Sequence, residues 1–122
     1  MAKKNRTASE IVSEIEKLKP NVRASFVVDT LTYLYRGGRC NAVAAMAGGV
    51  LKLHPKIVVE DGAMNASKKY RGKIASVILS YVKDMEKDLK NARQERVFIT
   101  HSGCDREIVE TVRTYLKKSW HL

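Results

Sequence analysis

Cysteine is scarce in this chain: only Cys40 and Cys104 are present, with no CxxC pair and no His/Cys cluster at zinc-ligand spacing. That excludes a disulfide framework and a zinc finger. Reduced thiols are the plain expectation, and spacing alone leaves a single Cys40–Cys104 bridge open. Histidine is thin as well. His54, His101 and His121 lie far apart, and none belongs to an HxxxH pair, so neither a metal nor another cofactor is expected. No GxSxG nucleophile elbow occurs, and no acid, base and nucleophile assemble by spacing, so an enzyme is not expected. Apolar runs stay well short of the roughly 20 residues that a spanning helix needs. The charged start, Met1 to Arg6, leads into no apolar stretch of signal-peptide length. A cytoplasmic protein without a membrane span is therefore expected.

Acidic residues are missing from the middle of the chain. Between Thr30 and Lys83 the only acids are Glu60 and Asp61, against nine Lys or Arg, and the net charge of the whole is +10. Such a balance favours anionic partners: nucleic acid, anionic lipid, phosphate or an acidic protein surface. What is present otherwise suits one globular domain: 122 residues, 44% of them apolar and 30% charged.

Along the chain, Thr7-Ala8-Ser9-Glu10 fits a capping box, and Ile11, Val12, Ile15 and Leu18 then fall on one helical face. Pro20-Asn21 stops that helix. Ser25 to Val28 reads as a buried strand. Asp29 or Thr30 caps a short helix through Leu31, Leu34 and Tyr35, which Gly37-Gly38 ends. Asn41 begins an Ala/Gly-rich helix over residues 41–53, and Pro55 blocks its continuation, with His54 at the helix end. Lys56 to Val59 is a strand, Asp61-Gly62 a hairpin turn, and Met64 to Tyr70 a polar return strand at a sheet edge. Ile74, Val77, Ile78, Tyr81, Val82, Met85 and Leu89 trace one amphipathic helix. Val97 to Thr100 is a further strand, and Ile108 to Leu116 mark the last helix. The order is α-β-α-α-β-β-α-β-α. The fold class expected is α/β of α+β-like character: a small mixed β-sheet packed with helices in a single two-layer domain. That domain would span residues 1–122, with 1–8 flexible.

Three places suggest chemistry. The Gly37-Gly38-Arg39 turn precedes a helix N-terminus, so Arg39 and backbone N–H groups there would suit a carboxylate or phosphate, although loop arginines are often merely solvated. The small side chains of residues 41–53 leave space for a long apolar ligand, or else serve close helix packing. Lys68, Lys69, Arg71 and Lys73 surround Tyr70, a pattern that would suit nucleic acid or an acidic protein, or an ordinary solvated face. The run His101-Ser102-Gly103-Cys104 reads as a turn between strand and helix, because strand neighbours point to opposite faces.

These residues also carry a resemblance. FVVDTLTYLYRGGR, AAMAGGVLKLHPKIVVEDG, KKYRGK and VFITHSG, in this order and spacing, resemble the C-terminal part of the DegV family of bacterial fatty-acid-binding proteins. The resemblance implies that a long-chain fatty acid is held between two α/β domains, its tail in an apolar tunnel and its carboxylate at the domain junction. It implies ligand contacts at Arg39, Gly38, Ala45, Gly48 and Gly49, with Arg39 in the carboxylate network. It also implies a partner surface at Arg71 and Lys69, offered to a fatty acid kinase subunit. A full family member is more than twice as long; its N-terminal domain has no counterpart here, nor does its terminal His-x-Gly-Pro-Gly motif. His101 lies on a different strand and does not inherit that histidine's role, and Cys40-Asn41 follows the arginine where Ile-Ser is more usual. The expected function is thus that of the C-terminal half of a DegV-like lipid carrier, with self-association through an exposed apolar face. The alternative is a basic nucleic-acid-binding or protein-interaction module.

Overall fold

The computed structural model describes residues 5–38, 53–93 and 98–120. The first helix, α1 (Ala8–Leu18), starts where the sequence says it should. The Glu10 N–H donates to Thr7 Oγ1 at 3.3 Å, and the Thr7 N–H donates to Glu10 Oε2 at 2.8 Å, completing the capping box. These bonds hold the Glu10 carboxyl below its usual range. Pro20 sits in a single 3-10 turn, Lys19–Asn21, that ends the segment.

Strand β1 (Ala24–Val27) follows, then the short helix α2 (Thr32–Arg36). Of the two expected caps, Thr30 acts, its hydroxyl accepting from the Thr32 N–H at 3.3 Å. Strands β2 (Leu53–Glu60) and β3 (Ala63–Arg71) form a hairpin. Asp61 and Gly62 both adopt positive φ, 50° and 75°, as a two-residue turn between antiparallel strands requires. Among the described residues the sheet is antiparallel in the order β1-β2-β3, with β3 at an edge, as its polarity foretold. A register shift between Lys56 and Ile57 bends the hairpin.

Helices α3 (Ile74–Asp84), α4 (Glu86–Lys90) and α5 (Arg106–Trp120) complete the described elements. Strand alternation divides the sheet into two faces. On one, buried Ile57 packs with Phe26, Ala66, and Leu31 and Leu34 from the α2 side. On the other, α3 is joined to Ser25 of β1 and to Lys68 and Tyr70 of β3. A second core lies between α3 and α5, where Val82, Val112 and Leu116 pack with Ile78, Tyr81, Leu89 and Tyr115. The result is a small α/β domain of three strands and five helices among the described residues.

Four local expectations change. Phe98, Ile99 and Thr100 form no strand; the segment is irregular and Phe98 is 81% exposed, because no strand partner meets it among the described residues. Val97 lies outside those residues. The single long helix is broken at Met85, whose φ of −83° and ψ of −6° separate α3 from α4. Pro55 does not precede a strand but lies inside β2, paired with Lys69 and beyond the stretch covered by β1, so its missing N–H costs no bond to β1. His54 is not a helix-end residue. It is buried in β2 between two carbonyls, Nδ1 3.0 Å from Val28 O and Nε2 3.1 Å from Gly72 O, where the ring ties β1's end to the turn after β3.

Candidate functional site

The end of α2 is built by its glycines. The Gly37 N–H returns to Tyr33 O at 2.9 Å, and Gly38 takes φ +60°, the left-handed conformation that terminates a helix. A Cβ at Gly38 would meet no atom within 4 Å, so the constraint there is backbone conformation, not space. Leu34, within α2, packs with Phe26 and Leu31 against Ile57. Of the expected ligand contacts only Gly38 is described; Arg39, Ala45, Gly48 and Gly49, with the Ala/Gly-rich helix, lie outside the described residues.

The basic block resolves into two sets, because β3 alternates. Lys68 and Tyr70 face α3. Both bond to Asp84: Lys68 as an ion pair, and the Tyr70 hydroxyl donating at 2.6 Å. The Lys68 bond, then the Tyr70 bond, holds the Asp84 carboxyl below the usual carboxylate range. Burial pushes the Tyr70 phenol up, and its bond to Asp84 adds to this. Lys69 and Arg71 fall on the opposite face of β3, exposed, and make no ion pair among the described residues. Lys73 just beyond is likewise exposed. Arg71 and Lys69 therefore lie together on one exposed face of β3. The structure withdraws Tyr70, which is only 7% exposed and cannot stack on a nucleic-acid base.

Other cations are occupied at rings. Lys56 Nζ lies 5.9 Å from the Tyr81 ring centre, Lys68 Nζ 5.1 Å from that of Tyr70, and Lys83 Nζ 5.9 Å from that of Tyr115. Tyr81 donates to Ser25 O at 2.8 Å and lies 2.9 Å from the Ser25 hydroxyl, and burial raises its phenol. Spacing along the chain missed these tyrosine tethers, since 56 residues separate Ser25 from Tyr81. The placement of Lys68 with Tyr70 and Lys69 with Arg71 was readable from the two-residue period of a strand.

The segment before α5 offers no assembled chemistry. His101 and Ser102 are exposed, Cys104 is a half-buried free thiol, and no hydrogen bond joins them among the described residues. Gly103, with φ +65°, turns the chain toward α5. No group of three His, Cys, Asp or Glu side chains among the described residues is placed to hold a metal ion. No described helix is long and apolar enough to cross a membrane. A surface hollow along α1, lined by Arg6, Ser9, Glu10, Ser13, Glu14 and Lys17, is too polar for an acyl tail.

Comparison with known proteins agrees along nearly the whole chain. The sequence model of the family described as "Uncharacterised protein, DegV family" matches residues 1–121. A DegV domain-containing protein of Clostridium perfringens is 31% identical over 121 residues, covering 98% of this chain and 41% of the relative. One of Listeria innocua is 33% identical over 121 residues, covering 98% and 42%. Protein DegV of Bacillus subtilis is 27% identical over 113 residues, covering 93% and 40%. A solved structure, described as fatty acid binding of a DegV family protein from Thermus thermophilus, superimposes with a TM-score of 0.64 at 25% identity, over 98% of this chain and 42% of that one. The chain thus spans about two fifths of the length of the relatives it matches. A family match over residues 1–121, with a fold shared over 98% of the chain, places this chain in the DegV family.

Proposed function

We propose that this chain forms one lobe of a fatty-acid carrier and is not itself an enzyme. The observation that carries this reading is the shared fold, over 98% of the chain, with a DegV protein described by its fatty acid binding. The local structure supports it. The Gly37-Gly38 turn, next to Arg39 in sequence, ends a helix whose Leu34 packs on the apolar face of the sheet. In this reading the acyl tail lies along that face and the small-residue helix at Ala45, Gly48 and Gly49. Arg39 attracts the carboxylate, and a second lobe, as in the longer relatives, closes the slot. Lys69 and Arg71, exposed on one face of an edge strand, meet an acidic surface of a protein partner, a fatty acid kinase subunit in the family reading. The setting is cytoplasmic.

Native mass spectrometry tests the lipid reading, with the chain carried in a two-lobe protein of the relatives' length. An added acyl-chain mass is expected. Arg39→Ala should weaken fatty-acid retention by the value of one charge-assisted bond, about 1.5–3 kcal/mol. Undiminished lipid in that variant would remove Arg39 from the head-group site, and an empty wild type would overturn the proposal.

A further inference from the structure

The three described strands are tied together by one buried ring. His54, in β2, is 5% exposed, and both of its nitrogens are used. Nδ1 lies 3.0 Å from Val28 O, just past β1, and Nε2 lies 3.1 Å from Gly72 O, just past β3. A backbone carbonyl can only accept. Continuing the β1–β2 register sets Val28 opposite Pro55, which has no N–H to offer it. Gly72 takes φ +118°, a conformation that glycine adopts and other residues rarely do. Backbone, not a flexible side chain, thus presents an acceptor at each ring nitrogen.

A neutral imidazole has one N–H and one bare nitrogen, so it can serve only one of two carbonyls; the other then meets a lone pair. A ring with both protons donates to both, and its charge strengthens each bond. Imidazole is also the side chain whose charge ordinarily changes within the physiological pH range. We propose that His54 is a proton-operated clamp: with a proton on each nitrogen it joins the exit of β1 to the exit of β3, and on losing one it releases one of them. The charged and titratable groups around it are otherwise engaged or lie outside. On the same face of the sheet, Lys56 lies over the Tyr81 ring of α3, while Lys68 and Tyr70, the latter directly opposite His54, bond Asp84 of α3. Asp29, after Val28, and Arg71 and Lys73, either side of Gly72, are exposed. The exit of β1 runs through Asp29 and Thr30 to α2 and the Gly37-Gly38 turn. The exit of β3 carries the exposed Lys69, Arg71 and Lys73. Protonation of His54 therefore sets whether the α2 side and the basic face are held in one frame. The clamp does not depend on the lipid reading.

Nuclear magnetic resonance of the isotope-labelled full chain, from about pH 5 to 8, tests this. At the acid end both His54 ring nitrogens should carry a proton. As pH rises one proton should leave, and the backbone amide of Asp29 or of Lys73, whose peptide units hold the two carbonyls, should shift with the same midpoint. His54→Gln, neutral at every pH, should abolish that amide shift, whereas His101→Gln, at an exposed position, should leave it intact. The ring nitrogens of the unaltered chain are read directly, so the test survives a His54 variant that fails to fold. A ring whose protonation stays the same across the range would overturn the proposal. So would Asp29 and Lys73 amides that ignore the ring's titration, or that still shift in His54→Gln.

Discussion

The two faces of the sheet hold their helices by different physics. On the α2 face the contact is apolar: Ile57, fully buried, is packed by Phe26, Leu31, Leu34 and Ala66, and no side-chain hydrogen bond is needed. On the α3 face the contact is pinned by polar tips on apolar bodies. Tyr81 reaches Ser25, Tyr70 and Lys68 reach Asp84, Lys56 lies over the Tyr81 ring, and His54 spans two backbone carbonyls. Apolar packing tolerates sliding, whereas a hydrogen bond fixes direction and distance. The α3 face is therefore suited to a permanent register between helix and strand. The α2 face, held by apolar packing alone, is the face along which the proposed function lays an acyl chain.

That contrast can be broken from either side. The largest effect is expected from Ile57→Ala, which opens a cavity in a fully buried site and should cost about 3 kcal/mol in a urea or guanidinium unfolding series. Tyr70→Phe keeps the ring and removes only the bond to Asp84, so its expected cost is smaller, about 1 kcal/mol in the same series. A loss as large as that of Ile57→Ala would mean that the polar pins carry the sheet as strongly as the apolar core does.

The smallest effect depends on pH. The Asp84 carboxyl is held low in the folded chain, first by Lys68 and then by Tyr70, so the unfolded chain takes up this proton more readily. Its stabilising contribution is complete above the ordinary carboxylate range and is lost as pH falls through the folded value. Asp84→Asn should flatten part of the acid limb of stability against pH. It should not flatten all of it, because Glu10 is lowered in the same direction by its bonds to Thr7. An unchanged acid limb would show that the Lys68–Asp84–Tyr70 cluster is too well solvated to matter.

Much of the local structure was legible because it is set by neighbours in the chain. The capping box of Thr7 and Glu10, the stop at Pro20, the left-handed Gly38 and the Asp61-Gly62 hairpin each depend on a few adjacent residues. The edge position of β3 was legible from its polarity. Phe98 to Thr100 was misread for the opposite reason. A run with β propensity becomes a strand only when another strand lies alongside, and propensity cannot supply that partner. His54 was misplaced because Pro55 reads as the stop of a helix before it, whereas a proline also fits within β2 where β1 has already ended. Of the candidate site, the sequence named Gly38, Lys69 and Arg71. It could not show that Lys68 and Tyr70, in the same block, are committed to Asp84 instead.

By itself the sequence determined the capped first helix, the turns at Gly38 and Asp61-Gly62, the β2–β3 hairpin, the basic middle of the chain and the family resemblance. All of these rest on residue identity and on contacts within a few positions. Only the tertiary structure decided which cations are spent on tyrosine rings and Asp84 and which stay outside, and which face of the sheet is apolar. Those outcomes depend on pairs such as Ser25 with Tyr81 and His54 with Val28, remote in sequence and adjacent only once the chain has folded.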